Sequence, residues 1–255
     1  MTRFIGIVSA KGGVGKTTTS INLGIALHEF KQNILLIDAN TSTPSVGVSL
    51  GAPIVDLGLN DILKKGDIED AVHYHDSGLK VIPSRLELTE RSASTLRNFK
   101  KFFNKLNGMV DIALFDSAAG VTEEASLVMD LVDELIVVTT PDPQSVTAAL
   151  KTVKIAEETG KDIVGVVLTR ANNSYDMPKG QIESMMGYPV IGVIPEDNNI
   201  RFAANKQNAA IHLYPRSPSA IAYRNLAAHL IDEPFFEAVP KNGMFKRVIK
   251  AIKNE

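Results

Sequence analysis

The chain of 255 residues contains no cysteine, which excludes disulfide bonds and any metal cluster held by thiolates. This composition is compatible with the reducing cytoplasm, where we expect the protein. No run of about 18 uncharged apolar residues occurs, so we expect no transmembrane helix. The first apolar stretch, residues 4–8, is too short for the core of a signal peptide, and we expect no secretory leader.

A strong net charge is also missing. The chain has 27 basic and 29 acidic side chains, which give a formal net charge of −2. The chain as a whole therefore does not attract nucleic acid or anionic lipid, and any binding to a polyanion must come from a local patch. The hydrophobic content of 44% and the charged content of 22% are those of an ordinary globular protein, and the length suits one large domain.

Short apolar runs alternate with helical patterns along the chain. The predicted strands cover residues 4–8, 33–38, 79–83, 111–116, 134–139, 163–168 and 189–194. The predicted helices cover residues 17–29, 89–105, 123–131, 144–158, 178–186 and 218–231. This alternation predicts an α/β fold: a mostly parallel, twisted sheet with helices on both faces, whose ligands bind at the carboxyl ends of the strands.

A glycine-rich loop with two lysines follows the first strand. Its general form is Gly-x-x-x-x-Gly-Lys-Ser/Thr, in which Ala10 takes the first position and Gly15, Lys16 and Thr17 the last three. Such a loop surrounds phosphate oxygens with backbone N–H groups, and the positive end of the next helix faces the same anion. The residues predicted to bind nucleotide in this loop are Lys11, Gly12, Gly13, Val14, Gly15, Lys16, Thr17 and Thr18.

The side chains of the loop have different expected roles. Lys16 would reach the β- and γ-phosphates, and the hydroxyl of Thr17 would bind Mg²⁺. Lys11 stands too early in the loop to face the phosphates of its own subunit. We therefore expect Lys11 to act toward a bound partner.

With its additional lysine, this loop resembles the deviant Walker A loop of the MinD and ParA ATPases. The resemblance implies a P-loop NTPase fold, ATP or ADP with Mg²⁺ as cofactors, hydrolysis of ATP, and a homodimer formed with ATP. The nitrogenase iron protein and the iron–sulfur scaffold ATPases share the loop but hold their clusters on cysteines, which this chain lacks.

Two acidic strand ends extend the resemblance. Asp116, in Asp-Ser-Ala-Ala-Gly, is similar to the Walker B aspartate of MinD, and Asp38 ends the strand after the first helix. The implied metal residues are Thr17, Asp38 and Asp116. Many relatives carry an aspartate two residues after Asp38, where this chain has Asn40. An amide can hold the attacking water but cannot accept its proton, so we expect slow hydrolysis. The implied catalytic residues are Lys11, Lys16, Asp38 and Asn40.

Two later segments match those that hold adenine in the family. They comprise Thr169, Arg170, Pro195, Glu196 and Asp197, although relatives commonly have asparagine in place of Thr169. The alternative is that both segments are plain loops at strand ends. His73 and His75 could suggest a metal pair, but no third ligand is near, and we expect a surface loop there.

The C-terminal residues form an amphipathic pattern. We divide the chain into an ATPase domain at 1–232, a linker with proline and glycine at 233–243, and a tail at 244–255. As a helix, the tail would place Phe245, Val248, Ile249 and Ile252 on one face. The other side would carry Lys246, Arg247, Lys250 and Lys253. MinD proteins end in a similar membrane-targeting segment, and ParA proteins generally do not. The alternative is that the helix docks on this domain or on a partner protein.

We therefore expect a MinD-like ATPase, cytoplasmic and peripheral on the inner face of the cell membrane, that positions cell-division or other machinery. Its expected partners are a second copy, an anionic membrane surface and an activating protein that the sequence does not identify. The alternatives are a ParA-like partitioning ATPase on DNA and an FlhG-like regulator of surface appendages. Nucleic acid binding is disfavoured because it needs a basic dimer surface, for which the sequence offers the tail and the thin pair Lys100 and Lys101. A metabolic ligase such as dethiobiotin synthetase lacks the lysine at position 11.

Overall fold

The computed structural model describes residues 1–52, 55–64, 67–85, 93–172 and 175–240, without the side chains of residues 93–95. Its strands are β1 (Arg3–Ser9), β2 (Ile34–Asp38), β3 (His73–Tyr74), β4 (Lys80–Ile82), β5 (Ile112–Ala119), β6 (Glu134–Thr139), β7 (Asp162–Ala171) and β8 (Val190–Pro195). Within the described ranges they form one sheet in the order β3-β4-β2-β5-β1-β6-β7-β8. Every neighbouring pair is parallel except β3 and β4. The expected α/β fold with a mostly parallel sheet is confirmed.

Helices cover both faces of this sheet. They are α1 (Lys16–Glu29), α2 (Val46–Ser49), α3 (Leu59–Lys64), α4 (Ala93–Leu106), α5 (Glu123–Leu131), α6 (Pro143–Glu158), α7 (Lys179–Met186), α8 (Asn198–Asn205), α9 (Ala210–Leu213) and α10 (Pro218–Leu230). One core contains residues from α4, α5, α6 and α7, and the other contains residues from α1, α9 and α10. Two buried faces explain why the central strands are continuous apolar runs, because neither side of such a strand meets water.

The register of the central strands aligns the two aspartates that were expected at strand ends, although β5 continues to Ala119. Asp38 on β2 lies opposite Asp116 on β5, and Asp116 lies opposite Ile7 on β1. The loop at residues 10–15 leaves β1 at the same edge and leads into α1. The carboxyl ends of three neighbouring strands therefore meet where the sequence predicts the ligand site.

Most expected elements are present, with ends that differ by a few residues. The segments α2, α3, α8 and α9 are short helices that the apolar patterns did not indicate. The prediction of a surface loop around His73 is wrong, because His73 and Tyr74 pair with β4 as an antiparallel edge strand. The beginning of the helix expected at 89–105 and the tail at 244–255 lie outside the described residues.

The last described segment returns along the domain. After α10, the ring of Phe235 meets the ring of Phe30 edge-on at 5.2 Å between centroids. The side chain of Asn225 then donates to the carbonyl of Glu237 (2.7 Å) and accepts from its N–H (2.9 Å). Val239 packs against the core beneath α1 and α10. Residues 233–240, the first part of the predicted linker, are thus held on α10.

None of the helices in the described ranges combines the length and the apolar character needed to cross a bilayer.

Candidate nucleotide-binding site

The glycine loop is built by backbone conformations that favour glycine. Gly13 (φ 78°) and Gly15 (φ 91°) lie in the left-handed region, which side chains with a Cβ rarely adopt. Gly15 caps α1, and its carbonyl accepts the N–H of Thr19 (2.8 Å). A Cβ added at Gly12 or Gly13 would meet no atom within 4 Å. The loop therefore faces open space at the N-terminus of a helix, where an anion is stabilised.

A cavity of about 760 Å³ lies over this loop. It is lined by the predicted residues Lys11, Gly13, Gly15, Lys16, Thr17, Thr18, Asn40 and Arg170, together with Ser9, Ser42, Thr43, Ser45, Ala118, Ala119, Thr122, Glu123 and Glu124. Most of the residues predicted to bind phosphate thus line one cavity. Asp38 and Asp116 lie beneath it and do not contribute to its lining.

Asp116 connects three side chains at the start of α1. Its Oδ1 lies 3.0 Å from the ammonium of Lys16 and accepts the hydroxyl of Ser20 at 2.9 Å. Its Oδ2 accepts the hydroxyl of Thr17 at 2.6 Å. In the structure, the two residues expected at phosphate and Mg²⁺ are therefore both held by the Walker B carboxylate. Ser20 was not among the expected site residues.

Asp38 organises the loop that follows β2. Its carboxylate accepts the N–H groups of Asn40 (3.1 Å), Ser45 (2.9 Å) and Val46 (3.0 Å). Burial and the nearby negative charge of Asp116 raise the pKa of Asp38 to about 7, although these three N–H groups act against the rise. A cation at this position would favour the ionised form.

The side chain of Asn40 closes a turn. Its amide donates to the carbonyl of Thr43 (2.7 Å), and its oxygen accepts from the hydroxyl (3.0 Å) and the N–H (3.3 Å) of Thr43. Asn40 lines the cavity as expected, with its side-chain polar groups directed to its own loop.

Glu124, near the start of α5, holds the same loop from outside. Its Oε1 accepts the hydroxyl of Thr41, the N–H of Ser42 (3.1 Å) and the hydroxyl of Ser42 (2.8 Å). The loop after β2 is thereby attached to the segment after β5. Sequence reasoning missed Glu124, although two adjacent acids in the first turn of a helix capped by Thr122 marked the position.

Lys11 is exposed at the mouth of the cavity. Asp142 caps α6 and accepts the N–H of Ser145 (2.9 Å) and the hydroxyl of Thr140 (2.6 Å). Burial alone would raise the pKa of Asp142. The hydrogen bonds from Thr140 and Ser145 and the positive charge of Lys11 have a larger, opposite effect, and together they lower the pKa to about 2. Lys11 therefore lies within electrostatic reach of an acid in its own subunit.

A smaller cavity of about 60 Å³ adjoins the first and gathers the residues predicted at the base. Its lining includes Thr169, Arg170, Pro195, Glu196 and Asp197, next to Gly15 and Thr18 of the loop. Arg170 and the two loop residues line both cavities.

Asp197 already has several hydrogen-bond donors around it. It accepts the N–H and hydroxyl of Ser219 (3.1 and 2.7 Å) and the N–H and side-chain amide of Asn199 (2.9 and 2.8 Å).

The histidine segment does not form a metal site in the described ranges. There, no group of three or more His, Asp or Glu side chains is placed to hold a metal ion. The ring of His75 instead meets the ring of His212 edge-on at 5.6 Å between centroids.

Comparison with known proteins decides the family. The model of the CobQ/CobB/MinD/ParA nucleotide binding domain matches residues 5–210. The chain belongs to this family. It is 34% identical over 251 residues to an uncharacterised ATP-binding protein of Methanocaldococcus jannaschii, covering 98% of this chain and 95% of the relative.

Two solved structures of MinD proteins have a similar fold over most of this chain. The cell division ATPase MinD of Pyrococcus furiosus superposes with a TM-score of 0.83 at 29% identity, covering 91% of this chain and 99% of that one. The septum site-determining protein MinD of Pyrococcus horikoshii, complexed with Mg-ADP, has a TM-score of 0.82 at 30% identity, covering 90% and 96%. The chain is a MinD/ParA-family ATPase.

The residues present fit a nucleotide with Mg²⁺. Two lysines and a helix N-terminus provide positive potential, and the cavity above them is open. The hydroxyl of Thr17 and the carboxylates of Asp38 and Asp116 are oxygen ligands of the kind that Mg²⁺ prefers beside phosphates. When bound, the metal would neutralise phosphate charge, and Lys16 would hold the phosphates.

Proposed function

We propose that the chain is a MinD-like ATPase that dimerises on binding ATP, associates reversibly with an anionic membrane surface, and is released by slow hydrolysis. The observation that carries the proposal is the pairing of a lysine at position 11 with a cationic, amphipathic tail in one chain. The names of the archaeal relatives, a cell division ATPase and a septum site-determining protein, support a role in positioning.

The tail needs the dimer in order to bind well. One short helix with four apolar residues binds lipid weakly, whereas two tails on one dimer bind through their effective concentration. The segment 233–240, which precedes the tail, is held to α10 through Asn225. Each tail would therefore start from a fixed place on its own subunit, which keeps the two tails of a dimer near each other. ATP would thus control membrane affinity through assembly.

Lys11 would act across the dimer. Lys11→Ala should remain monomeric with a non-hydrolysable ATP analogue in analytical ultracentrifugation, while wild type dimerises. Lys154→Ala, which removes an exposed lysine on α6, is the matched control and should dimerise normally. A Lys11→Ala protein that dimerises as well as wild type would refute the cross-subunit role.

The membrane step is tested by co-sedimentation with vesicles that contain anionic lipid. Wild type should bind with ATP, lose binding with ADP, and bind less in high salt. Phe245→Glu and Ile249→Glu should release the protein, while ATP-driven dimerisation continues. Phe236→Glu is the matched control, because Phe236 is 83% exposed in the segment before the tail and the change is chemically the same.

The outcomes separate the alternatives. If the wild-type dimer ignores anionic vesicles, the tail is a docking element and the membrane proposal fails. If the dimer instead binds nonspecific DNA, the ParA-like function gains support, with the exposed cations Arg97, Lys100 and Lys101 of α4 as its surface. An FlhG-like regulator would behave as proposed in both assays and differ in the machinery that it positions.

A further inference from the structure

Thr169 lies between the phosphate loop and the sheet. It is buried near the end of β7, and its hydroxyl donates to the carbonyl of Val14 in the loop. The same hydroxyl lies 3.3 Å from the carbonyl of Thr139 on β6. The loop is thereby connected through one side chain to two neighbouring strands.

The side chain also lies close to Gly15, one of the two loop glycines with a left-handed backbone conformation. A Cβ built on Gly15 would lie 3.6 to 3.7 Å from the Oγ1, Cβ and Cγ2 atoms of Thr169, which is ordinary van der Waals contact. Gly15 holds the left-handed conformation that begins α1. Thr169 therefore lies beside the residue that begins α1 and hydrogen-bonds the residue before it.

The hydroxyl of Thr169 has no second proton for a ligand. A threonine hydroxyl has one hydrogen, and here two main-chain carbonyls compete for it. Turning the hydroxyl toward a base would leave the carbonyl of Val14 without this donor inside the protein, which is costly. Thr169 lines the small cavity, but its one hydroxyl hydrogen is directed to the loop, so toward the cavity its oxygen could only accept a hydrogen bond.

We propose that Thr169 is a positioning residue of the phosphate loop and does not read the base. Its hydroxyl fixes the carbonyl of Val14, and this contact sets the loop for the phosphates. The base then meets the other residues of the small cavity, among which Glu196 and Arg201 form an ion pair of 3.2 Å. The inference rests on nucleotide binding alone and is independent of dimerisation and membrane association.

The test compares ligands with and without a base. The affinities of ATP, GTP and inorganic tripolyphosphate, each with Mg²⁺, are measured by calorimetry for wild type, Thr169→Ser and Thr169→Val. Valine keeps the shape and removes the hydroxyl, so it should weaken all three ligands by a similar factor of about tenfold. Serine keeps the hydroxyl and should restore all three affinities to within about twofold of wild type.

Other results would overturn the inference. If Thr169→Val weakens ATP but leaves tripolyphosphate unchanged, Thr169 reads the base. If no ligand is affected, or if serine does not rescue, the hydroxyl has no positioning role. Thermal melts of each variant show the folded fraction at the temperature of measurement. If the valine variant does not fold, Thr169→Ala replaces it in the same comparison.

Discussion

The ammonium of Lys16 lies 3.0 Å from Oδ1 of Asp116, and both side chains are buried, at 7% and 0% exposure. The same carboxylate accepts the hydroxyls of Thr17 and Ser20. One acid within β5 thus satisfies the charge and two donors at the start of α1. This pairing accounts for the stability of a lysine inside the fold, and a phosphate would offer Lys16 a competing partner.

Asp116→Ala should therefore destabilise the protein strongly. It leaves a buried cation without its partner, for which the expected cost is about 3–5 kcal/mol. Urea unfolding at pH 7 measures the loss. Asp67→Ala is the matched control, because Asp67 pairs with Lys105 at 3.3 Å on the exposed surface, where a salt bridge contributes about 1 kcal/mol or less. An equal loss of unfolding free energy in the two variants would show that the buried ion pair stabilises the fold no more than the exposed one.

Glu124 should control the loop after β2. Glu124→Ala removes the acceptor for Thr41 and Ser42, so we expect faster amide hydrogen exchange at residues 40–45 and ATP turnover lowered several-fold. The lost charge-assisted bonds should cost about 1.5–3 kcal/mol in unfolding free energy. Glu158→Ala is the control, because Glu158 is an exposed acid at the end of α6 and is not among the residues that line the cavity. Exchange at residues 40–45 that does not respond to Glu124→Ala would contradict this coupling.

The sequence predicts the acidic residues of the site better than it predicts the hydrogen bonds made within the site. Asp38 and Asp116 were predictable because each ends an apolar run, and parallel strands bring such ends together. The direction of the Thr169 hydroxyl was not, because it depends on loop atoms 155 residues away along the chain. Short helices such as α2 and α9 have four residues each, too few for a periodic pattern to appear. Sequence patterns therefore predicted where the nucleotide-binding site lies but not the hydrogen bonds between its residues.

Asp142 should contribute stability that depends on pH. Its folded pKa of about 2 lies below the ordinary value of about 3.9, so its contribution is present above about pH 4 and is lost as the pH falls toward 2. As the N-cap of α6, Asp142→Ala should cost about 1 kcal/mol at pH 7 and progressively less below pH 4. Urea unfolding at pH 7, 5 and 3 tests this. Asp142→Asn keeps a capping oxygen and should lose less at pH 7. A cost of Asp142→Ala that does not change with pH would mean that the charge does not contribute.

Replacing Asn40 by aspartate tests whether ATP hydrolysis needs a carboxylate at this position. Asn40→Asp keeps an acceptor for Thr43 but loses the amide that donates to the Thr43 carbonyl, which should cost about 1 kcal/mol of stability. Hydrolysis depends little on a base, because the transition state of phosphoryl transfer is loose. We therefore expect ATP turnover of Asn40→Asp to equal or exceed that of wild type in a phosphate-release assay. Lys16→Ala, which removes the charge at the phosphates, should abolish turnover and serves as the inactive reference. If Asn40→Asp eliminates turnover while nucleotide affinity is kept, the Asn40–Thr43 turn itself is required for hydrolysis, and the absence of a carboxylate does not limit the rate.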